Sequence, residues 1–296
     1  MHYDVIVIGG SYAGMAATLQ LVRARKTVLV IDAAQRRNRF ASHSHGFLGQ
    51  DGVAPDEIAR TARTQLEAYP TLTWHEGTAI AAEGSRDAFT VTTSDRQTHA
   101  GRRLLLATGV ADQLAPIPGL AERWGQSVFH CPYCHGYELD QGRIGVIGTS
   151  PMSAHQAEML TDWGQVTLLL HGGVTLEAGV RDSLEGRGVA IEEAGIERLD
   201  GHADVVLADG RRLAFAGLFT APRCAPSSPL AALLGCELEE TPMGIQVKTD
   251  AEKKTSIKGV SACGDVARVP HSVTLAVADG AWAGVQVHRS LLWPDG

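Results

Sequence analysis

At 296 residues the chain exceeds the usual single-domain length, so two domains on one polypeptide are expected. A composition of 44% hydrophobic and 20% charged residues excludes a disordered chain, and 26 Lys plus Arg against 33 Asp plus Glu argue against a general binder of nucleic acid. No apolar run approaches the ~20 residues that cross a bilayer, and five cysteines with a single close pair do not make a secreted disulfide framework.

The first ten residues, MHYDVIVIGG, carry no targeting pattern and read as a buried strand running into glycine, so a cytoplasmic protein is expected. A strand at 5–8, a small-residue turn at 9–14, a helix to about Arg25 and a strand at 28–31 make a βαβ unit. A helix at 56–68, β-type segments at 72–80 and 89–93 and a buried strand at 104–107 follow. Pro116, Pro118 and Gly119 then mark a linker. Residues 143–171 echo residues 4–32 without a gap, again as strand, turn, helix and strand. Continuous apolar strands joined through a helix predict parallel strands covered on both faces. The expected fold class is α/β, with two Rossmann-like domains, the second inserted into the first. The strand and glycine turn at 259–265 and the helix at 272–292 are expected to rejoin the first domain. The expected boundaries are 1–114 with 243–296 for one domain and 115–242 for the other.

A glycine-rich turn after a strand lets backbone N–H groups and a helix N-terminus meet a pyrophosphate, while an acid about twenty residues on holds ribose hydroxyls. The first turn, Gly9-Gly10-Ser11-Tyr12-Ala13-Gly14, has the correct flanks and Asp32 at the next strand end, which predicts dinucleotide binding. The second, Gly148-Thr149-Ser150-Pro151-Met152-Ser153, leads in the same register to His171-Gly172-Gly173. That strand end offers neither an acid for ribose nor an arginine for a 2′-phosphate, and a retained scaffold with weak or absent NAD(P)H binding is expected.

Cys131-Pro132-Tyr133-Cys134-His135 admits more than one chemistry. Structural zinc wants a second close pair, and Cys224, Cys236 and Cys263 are scattered singly, as packing residues are. The string also matches c-type haem attachment, which normally follows export. A redox-active dithiol fits better, because a close pair can cycle between disulfide and dithiol. His135 titrates near neutrality and is a candidate acid/base, or else a surface histidine; Glu138 is a candidate to orient it.

The N-terminal dinucleotide unit, the inserted unit with CxxC just before its turn and the late Gly264-Asp265 together resemble the low-molecular-weight thioredoxin reductases over essentially the whole chain. The resemblance implies FAD as cofactor and a homodimer. It implies Gly9, Ser11, Tyr12, Ala13, Gly14 and Asp32 at the FAD phosphates and adenosine ribose, Ala79 by the adenine, Thr108 and Gly109 at a strand end approaching the cofactor, and Gly264 and Asp265 on the flavin side. The chain departs from that pattern in three places. His135 stands where Asp is usual, His171-Gly172-Gly173 where His-Arg-Arg is usual, and His271-Ser272 where Arg-Gln is usual near the flavin.

Residues 131–138, the first turn and His45-Gly46-Phe47-Leu48-Gly49 instead look like the dithiol oxidase branch. Its members close disulfides in natural products such as gliotoxin and holomycin, using FAD and oxygen without NADPH. This likeness implies Asn38 and residues 43–52 along the FAD, and His271 and Ser272 at the flavin edge. It also implies Cys131, Cys134 and His135 as the catalytic group, a small-molecule dithiol or protein thiol as substrate, and oxygen as acceptor. A disulfide reductase fed by NADPH or another donor and a flavin-binding redox sensor are the other readings of the same residues.

Overall fold

The computed structural model describes residues 2–172 and 174–294; Gly173, part of the second strand end singled out above, lies outside them. The chain divides into two compact units, one made of residues 1–39, 55–111 and 224–296, the other of 40–54 and 112–223.

In the first unit, His2–Ile8 pairs in parallel with both Val28–Asp32 and Thr98–Leu106, Leu72–Glu76 extends one side and Val260–Ala262 pairs with the end of Thr98–Leu106. Ala88–Thr93 and Ala79–Ser85 add an antiparallel pair to the same sheet. Val5, Ile6, Val7, Val28, Leu29 and Val30 are fully buried, as strands covered on both faces require. The last helix, Val273–Leu292, lies backbone-close on the first, Tyr12–Arg23. A Cβ on Gly280 would stand 2.1 Å from the Ala13 carbonyl oxygen, and one on Gly284 2.5 Å from that of Ala17. Buried Arg103 holds the far end of the last helix through hydrogen bonds to Ser290 Oγ (3.1 Å) and the Ser290 carbonyl (2.7 Å).

The second unit has a five-stranded parallel sheet in the order Ala190–Glu192, Gln165–Leu169, Arg143–Ile147, Gly217–Thr220, Val128–Phe129. A three-stranded antiparallel sheet, Ile196–Asp200, Asp204–Leu207 and Arg212–Ala214, accompanies it. Two apolar clusters fill the unit, one containing Ile147, Leu169 and Leu218 and the other Val146, Leu168 and Phe219.

The compact units depart from the expected boundaries by three residues at 112–114, which go with the second unit, and more widely in two places. Residues 224–242 go with the first unit, because Leu230, Ala231 and Cys236 are buried in one cluster with Ile6, Phe89 and Leu104, and Cys224 pairs with Gly244. Residues 40–54 go with the second, where a Cβ on Gly125 would press on Phe40 at 2.9 Å. The gapless echo also slips by one. Ile8 pairs with Ile31, but Ile147 pairs with Leu169, so the second connection is a residue shorter and its helix, Met152–Leu160, is shorter too. The position matching Asp32 is therefore Leu170, which is buried, and not His171.

Overpacking the helix contact tests this closure. Gly284→Leu is expected to lower stability by about 1–3 kcal/mol, read as a lower urea midpoint with the slope unchanged.

Candidate active site

The first turn is built to face an anion. Gly14 has no room for a side chain, since a Cβ would lie 1.9 Å from the Gly9 carbonyl oxygen, and Gly9, at φ +106°, presses on the Ala107 carbonyl. This tightness brings the turn against the Ala107-Thr108-Gly109 strand end, whose Thr108 and Gly109 carbonyls take hydrogen bonds from Ser227. Ser11 is the N-cap of the Tyr12–Arg23 helix, and no side chain caps it, so the helix end keeps its affinity for negative charge. Asp32 accepts from the Gly10 N–H at 3.1 Å, and its own carbonyl takes the Gly77 N–H, two residues before Ala79, which is buried. The Tyr12 hydroxyl donates to the Pro55 carbonyl and accepts from Asn38 Nδ2 at 3.1 Å, tying the 38 region to the turn.

Gly264, at φ +73°, comes close enough to Ala13 that a Cβ would stand 2.6 Å from Ala13 Cβ. Its N–H donates to Asp279 Oδ2 at 2.8 Å, and the other Asp279 oxygen pairs with Lys253 Nζ at 2.7 Å; both side chains are largely buried. Arg37 donates to Asp265 Oδ2 (3.3 Å) and to His271 Nδ1 (2.9 Å). A guanidinium has no acceptor, so Nδ1 accepts and a neutral His271 carries its proton on Nε2. Among the described residues the other Asp265 oxygen and Asn38 Oδ1 are buried without a partner, an arrangement that suits hydroxyl or amide donors arriving from a bound molecule. Ser272 is already engaged: its hydroxyl caps the last helix by accepting from the Leu275 N–H.

The second turn is closed on itself. Ser153, fully buried, accepts from the Thr149 and Ser150 N–H groups at 3.1 and 3.3 Å, so the Ser150 N–H, at the position of Ser11, is engaged within the turn. His171, at φ +47°, accepts the Ile196 N–H on Nδ1 at 2.8 Å and serves as a backbone latch.

Cys131 and Cys134 are joined in a disulfide in the second unit, with Cα atoms 5.3 Å apart. Cys131 is the N-cap and Pro132 the first residue of a one-turn helix, Pro132–His135, because proline has no N–H to lose there. The His135 ring stacks on Phe129 with centroids 4.2 Å apart. Burial pushes its pKa down to about 4, and the nearby His45 adds to the shift. Glu138 does not orient His135. Its carboxylate lies 3.4 Å from His45 Nε2, while Asp51 lies 3.5 Å from His45 Nδ1. Residues 43–52 thus contribute His45 to the disulfide's own unit. Cys224, Cys236 and Cys263 are buried, and burial pushes the thiols of Cys236 and Cys263 up, which suits packing.

The family description of pyridine nucleotide-disulphide oxidoreductases matches residues 3–280. The chain belongs to that family. It is 34% identical to "Thioredoxin reductase tcpT" of Claviceps purpurea, over 98% of this chain and 94% of that one. Among solved structures it is similar to an oxidoreductase from Agrobacterium tumefaciens (56% identity, all of both chains, TM-score 0.97) and to HlmI (35% identity, 98% of this chain and 93% of that one, TM-score 0.90). As a thioredoxin reductase-like member of the pyridine nucleotide-disulphide oxidoreductases it is a flavoprotein enzyme whose cofactor is FAD. The bare helix end, the glycine cradle and the orphaned Asp265 and Asn38 oxygens fit that cofactor.

The sequence reading missed Arg37, Lys253 and Asp279, and had His45 in the 43–52 loop along the FAD without its partner Glu138. Asp279 left a signal, as the only charged residue from 273 to 287, a stretch otherwise apolar or small but for Gln286. A buried carboxylate there needs a partner.

The lowered pKa of His135 has a consequence for stability. The unfolded chain takes up a proton near 6.5 and the folded one only near about 4. The contribution is therefore full above pH 6.5 and lost as pH falls toward about 4. His135→Phe is expected to flatten the stability profile across that window; an unchanged slope in urea melts at pH 4.5–7 would count against the neutral imidazole.

Proposed function

We propose that this enzyme is an FAD-dependent dithiol oxidase. The observation that carries the reading is the second turn, where Ser153 takes the Thr149 and Ser150 N–H groups into the turn itself and buried Leu170 stands at the acid position. With that site spent on internal hydrogen bonds, electrons enter from the substrate and not from NADPH. Gly9, Ser11, Tyr12, Ala13, Gly14, Asp32, Asn38, Ala79, Thr108, Gly109, Gly264, Asp265, His271 and Ser272 surround the cofactor in this reading, Ser272 by way of the helix it caps.

One substrate thiol, entering as the thiolate, attacks Cys131 Sγ and breaks the Cys131–Cys134 bond, leaving Cys134 as the thiolate, with His135, next to Cys134 in the chain, handling the proton once that thiolate has formed. The second substrate thiol attacks the substrate sulfur of the mixed disulfide and releases Cys131. The substrate leaves as a disulfide, and the protein holds a dithiol. FAD, held by the residues named above, would supply the two-electron chemistry that links the protein dithiol to oxygen, so that overall dithiol plus oxygen gives disulfide plus hydrogen peroxide. The substrate is a small-molecule dithiol or a protein thiol, and the enzyme acts as a cytoplasmic homodimer, as the resemblance implies.

A disulfide reductase is the competing reading, favoured by the name thioredoxin reductase carried by the Claviceps relative. Anaerobic mixing separates the two. A dithiol is expected to bleach the flavin, with colour and peroxide returning on admission of oxygen; rapid bleaching by NADPH would overturn the oxidase. Cys134→Ser is expected to keep FAD bound and to lose at least a hundredfold in dithiol-driven flavin reduction, measured by stopped flow.

A further inference from the structure

The helix Met152–Leu160 of the second βαβ unit, whose turn is closed by Ser153, makes contacts with the disulfide segment that neither nucleotide binding nor the core requires. Gln156 is buried, and its Nε2 donates to the carbonyl of His130, the residue before Cys131, at 2.8 Å. His130 offers only an acceptor there, so the amide orientation is set, and Gln156 Oε1 is left buried without a partner. An apolar side chain of the same volume would fill the space without that desolvation cost, so the donation to His130 is the feature that needs glutamine. Seven residues on, Trp163 closes the other end of the segment. A Cβ on Gly136 would stand 2.7 Å from Trp163 Cδ1, and the Tyr133 ring meets the indole edge-on at 5.2 Å. Between these anchors the Cys134 N–H donates to the Cys131 carbonyl and the Gly136 N–H to that of Pro132.

We propose that Gln156 is a positioning residue for the redox pair, its carboxamide fixing the peptide between His130 and Cys131 and so setting how readily Cys131 and Cys134 close on each other. The proposal rests on the reading of that pair as the exchanging disulfide, but not on the direction of electron flow. The peptide Gln156 holds is the one that fixes φ at Cys131 and hence the direction of its Cα–Cβ bond. With the peptide pinned, the two sulfurs meet at high effective concentration. Released, the reduced pair samples more conformers, and the equilibrium moves toward the dithiol.

The test is thiol–disulfide equilibrium on the FAD-loaded protein without oxygen, in buffers of reduced and oxidised dithiothreitol. The reaction exchanges one protein disulfide and one reduced dithiothreitol for one protein dithiol and the cyclic disulfide, and alkylation with mass spectrometry reads the pair. Gln156→Met keeps the volume and removes the donor; Gln156→Asn keeps the amide and shortens its reach. Both are expected to shift the equilibrium three- to tenfold toward the dithiol, about 15–30 mV, with thermal midpoints and FAD content close to the parent. Equilibria within 1.5-fold of the parent for both variants would overturn the role of Gln156. If instead the parent pair is never reduced, or Cys134→Ser turns over dithiols normally, the underlying reading of the pair fails, and the inference with it.

Discussion

The closure of the last helix onto the first is the contact on which the first unit depends. Val273–Leu292 can lie against Tyr12–Arg23 at backbone distance only because Gly280 and Gly284 present no side chain to the Ala13 and Ala17 carbonyls. That contact brings the end of the chain back to its beginning across a long insertion. It also lets Gly264 sit against Ala13, so that the Gly264-Asp265 turn and the bare end of the first helix come together. Asp279, one residue before Gly280, then reaches the Gly264 N–H. Packing and cofactor geometry are here the same constraint.

The two βαβ units show how one supersecondary plan can serve opposite ends. In the first, the helix N-terminus has no side-chain cap and the Gly10 N–H goes to the carboxylate of Asp32. In the second, the buried hydroxyl of Ser153 takes the N–H groups of Thr149 and Ser150, the positions matching Gly10 and Ser11. A hydroxyl that satisfies those N–H groups stabilises the turn and removes the reason for a phosphate to bind. The Phe129–His135 stack belongs to the same unit, and burial keeps that imidazole neutral, with a pKa of about 4 in place of the near-neutral titration expected of a histidine. Where an aspartate would bring a fixed charge, this unit places a neutral imidazole beside its disulfide.

Much of this was legible in the chain itself. The apolar strands at 5–8, 28–31 and 144–147, the turn at 9–14 and the CxxC pair are local patterns, set by side-chain periodicity and by what glycine and cysteine uniquely do. They were enough for the α/β class, the doubled Rossmann-like plan, FAD and the family. Less accessible was anything that depends on a register between distant segments. A gapless alignment put His171 opposite Asp32, whereas strand pairing puts Leu170 there, because hydrogen bonding across the sheet counts residues from the shorter helix. The partner of Glu138 was likewise out of reach, since His45 arrives from residues 40–54, which leave the first unit to pack on the second.

The sequence by itself determined the kinds of chemistry available: a dithiol pair, a dinucleotide turn with its acid, and a second turn lacking the charges of a nucleotide site. Only the tertiary structure decided which groups those residues meet. It placed Ser153 on the N–H groups of the second turn, Asp279 behind Gly264, Arg37 between Asp265 and His271, and Gln156 under His130. The reason is physical. Residue type and local spacing set what a group can donate, accept or transfer, whereas burial and partnership arise when segments far apart in the chain are packed together.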